Sequence, residues 1–242
     1  MNNSTLSRIG NVEFFAVLPA GFYVFLVGYL VLSIDNVNIA STQTIWMMLE
    51  PLTKQMHQNP ILLLFIIFCS YLLGSIIRTI PVSWAEGLTP PFTIKFPHSE
   101  RLMKLLEVLN ANADATLHDI KKVPKISGKV TMPVFHYWKD ALCVYSPHTF
   151  AYYERFEART RFFVGMFWAG AIGLLGSIIM FVRIQNLLFE PAWYLFIMST
   201  ILIFSFGLSI HRVRRQETYV LFWCYVAFLQ TVEQPNKAKG NS

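Results

Sequence analysis

The sequence predicts an all-α integral membrane protein with four transmembrane helices plus a helical cytoplasmic module, the module formed by the segment between the second and third spans and the C-terminal helix. Three observations lead there. Apolar runs of roughly the twenty residues that a bilayer crossing requires recur at 12–34, 60–80, 164–182 and 192–210. Charged side chains make up only 14% of the 242 residues against 54% hydrophobic ones, and mean hydropathy is +0.44, which excludes disorder and points to a membrane protein. Lysine and arginine alternate between connections: the first carries only Lys54 and the third only Arg183, while the middle segment and the tail hold nearly all the rest. Short basic connections stay inside, so both termini and the module are expected in the cytoplasm and the spans in the inner (cytoplasmic) membrane.

The chain opens with a short polar arm, 1–11, whose basic side chain is Arg8. In the first span Glu13 stands at the entrance and Pro19 a turn and a half inside, a site membrane helices tolerate when neighbours satisfy the freed carbonyl. Gly21 and Gly28 offer close-packing points. Between the first two spans, 45–49 reads as a short amphipathic piece on the membrane surface that stops before Pro51, with Trp46 at the depth aromatic side chains prefer. The second span starts at Pro60 and ends at Arg78 and Pro81. Gly87, Pro90, Pro91 and Pro97 then predict an extended connection over 82–97. The soluble module comes next. Ser99 caps a helix with Leu102, Leu105, Leu106 and Leu109 on one face, 119–132 is a basic loop, and a second amphipathic helix after Pro133 carries Trp138, Leu142 and Tyr145. After the fourth span, His211 to Arg215 form a basic stop, and the apolar run 219–229 is too short to cross a bilayer. The chain thus divides into an arm with spans one and two (1–81), the module with the base of the third helix (82–160), spans three and four (161–211), and a cytoplasmic amphipathic helix with its tail (212–242).

These parts are organised around 146–182, where Ser146 can cap free backbone N–H groups and Pro147 suits the first helical position. One long helix is expected, soluble at its start and membrane-spanning at its end. Its apolar half places Gly165, Ala169, Gly173 and Ser177 at four-residue spacing, with Gly170 and Gly176 on adjoining faces. In lipid, helices associate where missing side chains let backbones approach, so these residues, with Ser70 and Gly74 of the second span, are candidate helix-packing or pore-lining positions. Below them Glu154, Arg155, Glu157, Arg159 and Arg161 are candidate inter-helix charge pairs. Lys121, Lys122 and Lys125 in the loop, and Arg212, Arg214 and Arg215 after the fourth span, are candidate contacts for an anionic ligand or lipid headgroups.

The string SPHTFAYYERFEARTRFFVGMFWA, with the PHSE turn before the Ser99 helix, resembles a pattern found in uncharacterised bacterial membrane proteins of four spans. The resemblance implies that architecture and carries no activity with it.

Little else in the chain suggests chemistry. Nucleophile elbows, phosphate-binding loops and dinucleotide fingerprints are missing. His57, His98, His118, His136, His148 and His211 do not fall at metal-ligand spacing, and His136 with Asp140 reads as surface electrostatics. Cys69, Cys143 and Cys224 form no disulfide pattern and read as small core residues. No ionisable residue lies in mid-span, which argues against ion-coupled transport. The net charge of +6 brackets the spans instead of gathering with stacking aromatics, so nucleic acid is not an expected partner. The first apolar run extends past Leu32 without a small-residue cleavage site, so it is expected to stay in the mature protein. No enzyme activity, cofactor or metal is expected. The expected partners are membrane lipids and further copies of the chain.

The function these observations suggest is a homo-oligomeric channel or pore gated through its cytoplasmic module, by analogy an antiviral defence effector in bacteria. The alternative is a non-conducting membrane scaffold that docks a soluble cytosolic partner.

Overall fold

A computed structural model describes residues 3–34, 44–88, 132–185 and 189–239. Among them the chain forms seven helices and no strand: α1 (Asn3–Ser33), α2 (Ile45–Gln58), α3 (Pro60–Arg78), α4 (Val82–Leu88), α5 (Met132–Tyr145), α6 (Pro147–Ile184) and α7 (Glu190–Lys239). Four of them, α1, α3, α6 and α7, contain stretches long and apolar enough to cross a membrane. This is the make-up of a multi-pass membrane protein. The predicted Ser99 helix and the loop lysines Lys121, Lys122 and Lys125 lie outside the described residues.

Helix boundaries reflect local chemistry. Asn59 ends α2 and caps α3, its Oδ1 accepting from the N–H groups of Ile61 (3.1 Å) and Leu62 (3.3 Å), with Pro60 at the first helical position. Ser146 departs from its predicted capping role. Its hydroxyl donates to the Thr149 hydroxyl at 2.8 Å, and its backbone carbonyl accepts from the Phe150 N–H at 2.9 Å. At the far end of α6, Gln185 takes a left-handed φ of 53°, a conformation that stops a helix.

Four expectations about elements need correction. The polar arm is helical, since α1 begins at Asn3 and runs through Pro19. The surface piece does not stop at Pro51. Helix α2 continues to Gln58, because Met48 and Leu52 bury one face while Pro51 and Met47 stay exposed, where solvent can serve the carbonyl the ring frees. The connection after Pro81 is not wholly extended, because α4 buries Ala85 against Val164, Phe167 and Ile210, and Pro90 and Pro91 come too late to prevent it. The fourth span and the tail are one helix. No glycine or proline separates Ile210 from Tyr219, and Val213, Glu217 and Leu221 continue a buried line at four-residue spacing.

The chain divides into two compact units, Met1–Pro91 with Ala158–Val213, and Phe92–Glu157 with Arg214–Ser242. In the first, α1 crosses α3 at very close range. A Cβ on Gly21 would strike the backbone carbonyl of Ser70 and the backbone nitrogen of Gly74, and one on Gly74 would strike the carbonyl of Val17. Stacking of Phe14 on Tyr71, centroids 5.4 Å apart, flanks the crossing. Val27, Leu30, Met48, Met180 and Leu195 close one end of the bundle. Phe65, Phe68, Leu72 and Ile76 point away from it and are exposed, as side chains facing lipid must be.

The crossing makes a sharp distinction between glycines. Gly21→Leu has to push two backbones apart, and overpacking of this kind costs about 1–3 kcal/mol or more. Gly28 has nothing within 4 Å of its would-be Cβ. Thermal unfolding of the detergent-solubilised protein is therefore expected to fall for Gly21→Leu and to stay near wild type for Gly28→Leu. Equal effects would contradict the packing.

Candidate functional site

The small-residue stripe of α6 lies at helix contacts within the chain. A Cβ on Gly165 would meet Ala20 at 3.5 Å, and one on Gly170 would meet Leu202 at 3.0 Å and the Ser199 carbonyl at 3.1 Å. Gly173 lies against the hydroxyls of Ser199 and Tyr23, and Gly176 against Val27. Ala169 and Ser177 are fully buried, and the Ser177 hydroxyl is satisfied by its own helix, donating to the Leu174 carbonyl at 2.7 Å. Beside Gly173, the Tyr23 and Ser199 hydroxyls bond at 2.8 Å and tie α1 to α7. This link is absent from the sequence-based expectations. Two hydroxyls inside apolar runs are the available signal, since each would be costly to leave unpaired in lipid. In the second span, Ser70 and Gly74 are buried at the α1 crossing.

Among the charged residues at the base of α6, Glu157 reaches a neighbouring helix. The Glu157 carboxylate accepts from Lys139 of α5 at 2.7 Å, a partner outside its own helical spacing. The Arg159 guanidinium lies over the Phe163 ring, 5.8 Å from its centroid. Glu154 and Arg161 each have a partner of their own within the chain, and Arg155 is exposed.

Of the three arginines assigned to headgroups after the fourth span, Arg212 is exposed and Arg215 half-buried, but Arg214 is engaged within the second unit. Its Nη1 donates to both carboxylate oxygens of Glu217 at 2.8 Å, and the Tyr153 hydroxyl donates to Glu217 Oε1 at 2.9 Å. Glu217 is only 1% exposed, so the three side chains form a buried polar cluster. Burial first, and the adjoining Glu217 carboxylate second, hold the Tyr153 phenol above its ordinary pKa, so it stays a donor. Tyr153 precedes the apolar stretch of α6, and Glu217 comes after that of α7. Around the cluster Trp138 stacks on Tyr225 (5.8 Å) and meets Phe222 edge-on (5.7 Å), while Tyr145 stacks on Phe228 (6.0 Å). Cys224 is buried in this region and Cys143 is exposed.

In the first unit, Arg78 and Arg161 line a cleft together with Ala16, Val17, Ala20, Gly74, Ala158 and Gly165. Among the described residues, no three histidine, cysteine or acidic side chains converge as metal ligands would. No protein-family model matches the chain, and neither a curated protein nor a solved structure matches it.

The buried cluster carries its own test. Tyr153→Phe removes one hydrogen bond to a charged carboxylate that keeps its guanidinium, at a cost of about 1.5–3 kcal/mol. Arg214→Ala removes the cation from a buried ion pair, which costs about 3–5 kcal/mol. The expected order of thermal stability is wild type, Tyr153→Phe, then Arg214→Ala. A harmless Arg214→Ala would mean that the guanidinium does not balance Glu217.

Proposed function

We propose that the protein is a non-conducting, multi-pass membrane scaffold whose second unit, on the cytoplasmic side, docks a soluble protein. The observation that carries this reading is the exposure, around a closed aromatic core, of Val144, Tyr145, Tyr152, Tyr219 and Trp223 in that unit. Tyr219 and Trp223 adjoin, with ring centroids 6.0 Å apart. Contiguous exposed apolar groups outside a membrane span mark protein-binding surfaces, and the Tyr219–Trp223 pair is the contiguous part of this set. The stripe of α6 supports the same reading, because its glycines are already in contact with α1 and α7 of the same chain and so give no separate reason for assembly into a pore.

One observation favours the second reading, a homo-oligomeric channel gated from the cytoplasm and serving as a defence effector. Helices α6 and α7 each continue without a break from an apolar stretch into the second unit, so a displacement at one end of either helix has a stiff route to the other. A path for ions would then have to run between copies.

Two measurements test these proposals. Proteoliposomes holding the purified chain are expected to retain an ion gradient as well as empty vesicles do, and conductance above that background would favour the channel. Orientation is tested by Cys143, the exposed one of the two cysteines in the second unit. In a Cys69→Ser/Cys224→Ser background, a membrane-impermeant maleimide is expected to label Cys143 only after the cells are permeabilised. Labelling of intact cells would place the second unit outside.

A further inference from the structure

We propose that α4 lies in the headgroup region of the bilayer, with Trp84 and Leu88 seated in the lipid surface. The exposure of this helix falls into three strips. Val82, Ala85 and Glu86 turn inward: Ala85 is fully buried against Val164, Phe167 and Ile210, half-buried Val82 packs on the same cluster, and half-buried Glu86 has a partner within the chain. Pro81, whose carbonyl accepts from the Trp84 N–H at 3.1 Å, lines up with Trp84 and Leu88 at the i, i+3 and i+7 positions of a second strip, and all three are exposed. Ser83 and Gly87, also exposed, form the third. At about 100° per residue these strips point roughly a third of a turn apart. A helix with a protein side, an apolar side and a small polar side suits a membrane interface, where it meets its own bundle, lipid and water at once. Its depth is set by what Ala85 touches. Val164 opens the uncharged run of α6 and Ile210 closes that of α7, so α4 packs where both runs reach their polar ends. Close to those ends, Phe204 and Leu208 of α7 and Ile76 of α3 are exposed, so the lipid-facing belt extends to this level of the bundle. The opposite end of α3 follows α2, which exposes Trp46 and Met47. An exposed tryptophan thus adjoins each end of this span, the placement that an indole, apolar in body with one polar N–H, takes at the two faces of a bilayer. The inference rests on the membrane location of the apolar helices and is independent of whether the protein conducts or docks a partner.

The test is nitroxide labelling of the full-length protein in vesicles of phosphatidylethanolamine and phosphatidylglycerol. In a Cys69→Ser/Cys143→Ser/Cys224→Ser background, Trp84→Cys, Leu88→Cys and Ser83→Cys each receive one label, and power saturation compares collisions with oxygen, which concentrates in lipid, and with a water-soluble nickel chelate. The oxygen-to-nickel ratio is expected to be several-fold higher for the Trp84→Cys and Leu88→Cys labels than for the Ser83→Cys label. Equal ratios dominated by nickel would place α4 in water and overturn the proposal. Labels on Trp84→Cys and Leu88→Cys shielded from both reagents would give the strip to a protein, a second copy or another chain, and overturn lipid as its occupant. Should the cysteine-free background fail to fold, fluorescence of the chain with its native cysteines answers the same question. In vesicles of phosphatidylcholine brominated near the headgroup end of its acyl chains, the tryptophan emission lost to quenching is expected to be smaller for Trp84→Phe than for wild type. An unchanged loss would mean that Trp84 does not touch lipid.

Discussion

Lipid tails are as apolar as leucine, so burying one leucine against another inside a bilayer gains little over leaving it in lipid. Spans are held together by close contact between surfaces that fit, and in this protein the closest contact is the crossing of α1 and α3. At Gly21, Ser70 and Gly74 the two backbones themselves touch, with no room for a single added carbon. The position of α1 then fixes contacts elsewhere in the first unit. It presents Ala20, Tyr23 and Val27 to the stripe of α6, and Tyr23 reaches Ser199 of α7. A residue larger than glycine at the first crossing would shift the register of these other contacts as well.

The second unit solves a different problem. Its aromatic core is of the kind soluble helical domains use, with Trp138, Leu142, Tyr153, Leu221 and Tyr225 almost wholly buried. Into it the chain brings a carboxylate, and burying one is tolerable only with a cation and further donors at hand. Arg214 and Tyr153 supply them from two different helices. This arrangement specifies how α6 and α7 meet within the unit, because only one rotation of each helix brings all three groups together. The nearby Lys139–Glu157 pair adds a similar constraint between α5 and α6.

These contacts bear on function mainly by using up features that would otherwise suggest assembly. A small-residue stripe read from sequence invites a partner helix, but the partners turn out to be α1 and α7 of the same chain. The surfaces left over are an apolar belt on the spans and exposed aromatic side chains in the second unit.

Sequence alone determined the four apolar stretches, the continuity of the helix that starts after Ser146, and the presence of a packing face on it, because hydropathy and residue size are local properties and lipid makes them decisive. It misplaced boundaries where burial overrode local signals. The prolines near α4 suggested extended chain, yet a single buried alanine against three side chains of α6 and α7 makes a helix favourable there. The basic residues after Ile210 looked like a stop, but charge does not end a helix whose buried line continues through Glu217. Partnership was beyond reach for the same reason. Helical spacing can propose neighbours three or four residues apart, whereas Tyr23 with Ser199, Lys139 with Glu157 and Tyr153 with Glu217 meet only once separate helices have packed. Only the tertiary structure could decide that the stripe faces its own chain and that Arg214 turns inward, because both depend on which surfaces are left after the helices have found each other.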